Sequence, residues 1–240
     1  MRLKNFLATS LLVAGAIVLA APANAAQVVL SPAAVIGDTG SYNYPGTSHP
    51  GSFPAGNIFD HQLGPITFEN FTQNYWINGD NGPAAAYITI DLGASYSNLS
   101  FDLFNTSNGG ANDRGTGNFS IAGSNTLISA GPNGFTLSGP ITLISGTLAA
   151  ESGTGPRTAQ NFTASDLGSF RYLQFLPTSV NSAVPICCGI INNYGLNELR
   201  VFGGPGVGGV PEPTSWAMML IGFAAIGAAT RSRRLTRSKA

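Results

Sequence analysis

From Ala85 to Gly203 the chain keeps repeating one device: a short run alternating apolar and polar residues, closed by a cluster of Gly, Asn or Pro. A period of two puts one set of side chains on each face of a strand. In "AAYITIDL" (85–92), Ile88, Ile90 and Leu92 fall on one face and Tyr87, Thr89 and Asp91 on the other. In "NLSFDLFN" (98–105), Leu99, Phe101 and Leu103 oppose Ser100, Asp102 and Phe104. "GNFSIAGS" (117–124), "ITLISGTL" (141–148), "FRYLQFL" (170–176) and "LNELRVFG" (196–203) repeat the pattern. Asn108-Gly109-Gly110 and Gly131-Pro132-Asn133-Gly134 are turn clusters between such runs. Many short strands joined by turns predict an all-β fold, a jelly-roll β-sandwich.

Composition supports that choice. Only 9% of residues are charged and 31 are Gly, which rules out a helical bundle rich in Glu, Lys and Arg. Hydrophobic residues make up 43%, enough for a packed core rather than disorder. "GGPGVGG" (203–209) reads as a flexible linker, so the folded domain is predicted over 26–202. Within it, Arg114, Arg157, Arg171 and Arg200 face ten acidic residues, a net −6. An acidic body repels phosphate backbones, which excludes nucleic acid as a partner.

The positive charge lies at the two ends. The first 25 residues combine Arg2 and Lys4, an apolar run Leu11–Ala21 and a small-x-small site at Ala23-Asn24-Ala25. That order is a secretory signal peptide cut after Ala25. At the other end, Thr214–Thr230 holds 17 residues without a charge, followed by Arg231, Arg233, Arg234, Arg237 and Lys239. As a helix of about 1.5 Å per residue it is a short transmembrane span. Trp216 suits one interface and the arginines suit the cytoplasmic side.

Pro211-Glu212-Pro213, then Trp216-Ala217, then the apolar run and the basic cluster, resemble the PEP-CTERM sorting signal of Gram-negative bacteria, in its Trp-Ala variant. The resemblance covers 210–240. It implies a single-pass intermediate in the inner membrane, cutting near the tripeptide by an exosortase-type membrane protease, and delivery to the cell surface or extracellular matrix. The prolines keep the tripeptide extended just outside the bilayer.

The body has its own resemblance. "NIFD" (57–60), Trp76, "ITIDLG" (88–93), "RGTGNFSIAGS" (114–124), "FRYLQFLPTS" (170–179) and "GLNELRVFG" (195–203) succeed one another as in discoidin-like, coagulation factor V/VIII C-type domains. These have the galactose-binding-like fold. The resemblance implies a binding module, often for glycans. It also implies a structural Ca²⁺ held by Asp60 and Glu198, which would staple the two ends of the domain. His61 stands where that family usually has Gly. On this expectation calcium raises the melting temperature and Asp60→Ala abolishes the rise.

Catalytic readings find little support. His49 and His61 are the only histidines, twelve apart and with no cysteine nearby, which argues against zinc. No Gly-x-Ser-x-Gly elbow occurs. Nothing in the sequence pairs two carboxylates for glycoside hydrolysis. Cys187-Cys188 reads as an oxidised pair in a loop, closing a strained small ring; buried thiols or an interchain bond are the alternatives. Tyr42, Tyr44, Trp76 and Tyr194 are candidates for a glycan platform, with Trp76 read as core. Arg114 and Arg157, in Gly-rich loops, are candidates to contact ligand, with solvated arginines as the default reading. The chain is therefore expected to be an exported, exosortase-sorted surface or matrix protein with a non-catalytic sandwich that binds exopolysaccharide or another glycan. The alternatives are a purely structural matrix protein and an unrecognised glycoside hydrolase.

Overall fold

The computed structural model describes residues 25–44, 51–61, 63, 74–79, 85–107, 111–181, 193–206 and 221–223. The strands, in chain order, are β1 (Ala26–Val28), β2 (Val35–Asp38), β3 (Asn43–Tyr44), β4 (Gly51–Ser52), β5 (Trp76–Ile77), β6 (Ile88–Phe104) and β7 (Asn118–Ser124). They continue as β8 (Leu127–Ser129), β9 (Phe135–Leu137), β10 (Ile141–Thr147), β11 (Gln160–Thr163), β12 (Phe170–Pro177), β13 (Gly195–Leu196) and β14 (Glu198–Pro205). Their pairings are antiparallel. The fold is an all-β sandwich, as the alternation predicts.

The 17-residue β6 builds both layers. Its first part pairs with β2 and β12, and β12 continues to β7 and β10. Its last part pairs with β11 and with β14, which carries β1. Between the two parts the strand is exposed at Gly93–Ser95, with Gly93 at φ +78 and Asn98 at φ +52. Left-handed backbone there lets one strand turn from layer to layer. The inward sets then meet: Ile88, Ile90, Leu173, Phe175 and Ile121 oppose Phe101, Leu103, Leu199 and Val201, all at most 1% exposed.

Two residues depart from simple alternation. Thr89 is on the face read as polar, yet it is fully buried. Gln174 Nε2 explains it, donating to Thr89 Oγ1 (3.0 Å) and to Thr136 Oγ1 (2.8 Å) on β9. The β8–β9 hairpin thus covers part of the outer face, and the hydroxyls under it are paired, as buried polar groups must be. Gly203 and Gly204 belong to β14 rather than to a linker. Gly203 pairs with Ala26, and a side chain there would press on Leu99 and Tyr96. β14 therefore runs on to Pro205. β1 begins at Ala26, so a cut after Ala25 would leave the strand whole.

On the surface, Arg171 grips Asp91: Nε and Nη2 each donate to a carboxylate oxygen at 2.9 Å. These bonds hold the Asp91 carboxyl below its ordinary range, against a smaller desolvation effect, with help from the Gly93 N–H. A depressed folded pKa gives stability that is complete above the unfolded carboxylate value and lost as pH falls through the folded one. Arg171→Gln should therefore lower the melting temperature slightly at pH 7 and leave it unchanged near pH 2. The pair is exposed, so the effect is small. An equal loss at both pH values would assign the effect to something else.

Candidate functional site

The loops after β6 and before β7 and β14 gather at one end of the sandwich. Asn105, fully buried, ties them together. Its Nδ2 donates to Thr116 O (2.8 Å) and Ala149 O (2.9 Å), and its Oδ1 accepts from the N–H groups of Thr106 (3.0 Å) and Thr116 (2.9 Å). Arg114 and Arg157, read from sequence as solvated, are 8% and 5% exposed. Charge partners allow this: Arg114 Nη1 is 3.0 Å from Asp113 Oδ2, and Arg157 Nη1 is 3.9 Å from Glu151 Oε2. Arg157 Nη2 also donates to Gly153 O (3.1 Å). Burial pulls the Arg157 guanidinium down, with Glu151 and Tyr75 opposing it. Burial pushes the Tyr75 phenol far up, with Asp113 adding to the effect. Two arginines and two carboxylates hold these loops as a neutralised interior cluster, which costs less to bury than unpaired charge.

Glu198, the first residue of β14, is fully buried. Asp60 closes the 3-10 turn Ala55–Phe59, its N–H donating to Asn57 O. The turn brings the next residue, His61, onto Glu198. The His61 N–H donates to Glu198 Oε2 (3.1 Å) and its Nδ1 lies 3.0 Å from Oε1. Its Nε2 lies 3.0 Å from the Leu30 carbonyl. Arg200 Nε approaches Glu198 Oε1 at 3.4 Å and stacks its guanidinium 4.7 Å over Phe104. Calcium needs roughly six to eight oxygen ligands. Here both oxygens of the expected carboxylate ligand already accept from N–H groups. Among the described residues no group of three or more His, Cys, Asp or Glu gathers as a metal site. Glu198 is thus engaged by His61 and Arg200.

The aromatic platform also takes another form. Trp76 is fully buried and Tyr194 is 3% exposed. Tyr42 is half-buried against Phe53, ring centroids 5.9 Å apart. The side chain of Tyr44 lies outside the described residues.

What the outer face offers is a groove. β7 and β10 pair with Asn118 opposite Thr147, Phe119 opposite Gly146 and Ser120 opposite Ser145. Phe119 turns inward, so Asn118, Ser120, Ser145 and Thr147 line up outside. With Thr178 they line an open depression of about 440 Å³. Thr147 Oγ1 donates to Asn118 Oδ1 (2.6 Å) and Thr178 Oγ1 to Asn118 O (3.1 Å), which fixes their directions. No charged side chain lines it. Sequence reading did not single out these five residues. Their signal was the polar half of the alternation in 117–124 and 141–148; which strands pair, and in what register, was not legible there.

Comparison with known proteins decides the tail. The PEP-CTERM protein-sorting motif matches residues 209–234. The chain carries a PEP-CTERM sorting motif. Such a motif marks a chain for export and exosortase-mediated surface sorting, so the PEP-CTERM segment gives the sandwich an exterior workplace. Pro211, Glu212, Pro213 and Trp216 lie within the match but outside the described residues, as do Ala23, Cys187 and Cys188. Of the predicted span 214–230, Ile221–Phe223 are described, and they are helical. Among the described residues no helix is long and apolar enough to cross a membrane.

No curated protein matches the PEP-CTERM chain by sequence. Several solved structures are similar to it. One is the CBM32-3 module from a family 31 glycoside hydrolase of Clostridium perfringens, at 12% identity and TM-score 0.46, covering 73% of this chain and 94% of that one. Another is chitosan-binding module 1 of a chitosanase/glucanase from Paenibacillus sp. IK-5, at 16% and 0.42, covering 74% and 99%. A third is the CpGH89CBM32-5 module of Clostridium perfringens in complex with GalNAc-β-1,3-galactose, at 13% and 0.46, covering 74% and 100%.

Proposed function

We propose that the sandwich is a non-catalytic module that holds a neutral glycan outside the cell, after its PEP-CTERM segment has sorted it there. The observation that carries this reading is the groove of Asn118, Ser120, Ser145, Thr147 and Thr178. Sugars present rows of hydroxyls that both donate and accept. A row of Ser, Thr and Asn side chains matches them without the desolvation cost of a charge. No carboxylate lines the groove, so it does not supply the acid pair that hydrolysis needs.

The test is native gel electrophoresis of the full chain through gels containing neutral galactan, glucan or mannan, with an acidic polysaccharide alongside. At least one neutral polymer should retard the protein. Ser145→Ala with Thr147→Val removes two hydroxyls while keeping the strand shape. At about 0.5–1.5 kcal/mol per hydrogen bond this should weaken binding roughly tenfold, with the melting temperature nearly unchanged. Unchanged retardation in the double variant would move binding away from the groove. No retardation by any polymer would leave the structural matrix role.

A further inference from the structure

We infer that the end of the sandwich where the chain leaves it is a contact surface, which must seat against the membrane protease for the sorting signal to be cut. The inference rests on a cut near Pro211-Glu212-Pro213. The folded domain holds its chain almost to that point. Gly204 and Pro205 of β14 pair with Ser97 and Tyr96 of β6. The Gly206 N–H then donates to the Ser95 carbonyl (2.9 Å). Gly206 is packed so closely that a Cβ there would stand 2.8 Å from Ser169 Cβ and 3.0 Å from Ser95 O. Four residues, 207–210, separate this anchored glycine from Pro211. Fully extended, the chain from Gly206 to Pro211 reaches roughly 18 Å. A folded body of about 180 residues has a radius of gyration of about 16 Å, so it is broader than its tether is long. A protein that grips the tripeptide therefore meets the body as well.

What it meets is the collar around Gly206. β6 changes layer at Gly93–Ser95 and runs from there to Phe104, so the collar lies at the end opposite the Asn105 loops. Gly93, Ala94 and Ser95 are exposed, as are Leu167 and Gly168 in the neighbouring loop. Leu167 is 47% exposed, a large apolar side chain left outside. Asn125 fixes that loop: its Nδ2 donates to Ser169 O (2.8 Å) and its Oδ1 accepts from the Arg171 N–H (2.9 Å). Ala94, Ser95, Leu167, Gly168 and Ser169 carry no charge, and the core of an interface is poor in charge. Their small side chains also let a partner's backbone come close. Asp91 and Arg171 flank the collar but neutralise each other.

Pulse–chase immunoblots of the full chain, in an exporting host that carries the protease, follow the shortened product. Ala94→Glu with Leu167→Glu places two carboxylates on the collar at exposed positions, so the melting temperature should hold. Cutting should slow roughly tenfold or more, because those charges would lose water at the contact. A Gly-Ser insert of about twelve residues after Gly208 adds about 20 Å of flexible chain and should restore the rate. A photo-crosslinking residue at Ala94 should join the chain to an epitope-tagged protease. One at Ser152, in the loop that Ser107 Oγ holds at the opposite end through Gly153 O, should not. A collar variant cut at the wild-type rate would overturn the inference. So would slow cutting that the insert does not restore, or crosslinks from Ala94 to lipid alone. An uncut wild-type chain is a separate result: it would overturn the processing reading itself, and the inference with it.

Discussion

Replacing Pro211-Glu212-Pro213 with three alanines should leave the chain uncut and confined to the membrane fraction, with almost none at the surface or in the medium. The effect is close to all-or-none because the tripeptide sits between a folded domain and an apolar run flanked by arginines. Without the prolines nothing fixes an extended backbone before Thr214, and helix can propagate back toward the domain. A membrane protease acts on extended, accessible chain. The alanine variant would present a helix end instead. Immunoblots of membrane, surface and medium fractions read the outcome. The wild type should give a shortened product outside the inner membrane, and the variant a full-length band within it. A shortened, released variant would place the cut elsewhere. Changing Arg231, Arg233 and Arg234 to Gln gives a control, since it removes positive charge after the apolar run and leaves the tripeptide intact.

The sorting motif of the tail was legible because its parts stand in a fixed chain order, and order is what a sequence records. The sandwich was legible to the extent that period two reports one strand at a time. Ile88, Ile90, Phe101 and Leu103 were placed inward by alternation, and they are inward. Thr89 was misplaced because a hairpin far along the chain covers it, and alternation carries no information about what packs outside a strand. Arg114 and Arg157 were misplaced for a similar reason. Their partners Asp113 and Glu151 are near in sequence, but the burial comes from loops that only the fold assembles. His61 is the instructive case. It was visible as a histidine where glycine is usual, and that alone left open what the ring does. Only the approach of β14 to the turn Ala55–Phe59 gives the ring its carboxylate.

Trp76→Ala should cost about 3–5 kcal/mol of folding stability, a large share of the roughly 5–15 kcal/mol typical of a domain. Trp76 lies on β5 with no exposure, opposite Leu196 of β13. Its ring meets Phe175 edge-on, centroids 6.5 Å apart at 82°. Phe175 in turn stacks near Phe119, at 5.7 Å, and Phe119 meets Phe162 edge-on at 5.0 Å. Removing the indole therefore opens a cavity at one end of a row of aromatic rings that runs beneath the groove strand β7. The surrounding strands are fixed by their pairings and collapse only partly into the gap. Urea unfolding measures the loss, and a cost below about 1 kcal/mol would mean that the ring is not part of the core. Trp76→Phe should cost less. It keeps an aromatic ring beside Phe175, and it deletes a buried indole N–H that has no hydrogen-bond partner among the described residues. If Trp76 instead served a glycan directly, Trp76→Phe would weaken polysaccharide retention while sparing stability. Burial predicts the opposite split: a measurable loss of stability, with retention preserved wherever the variant is folded.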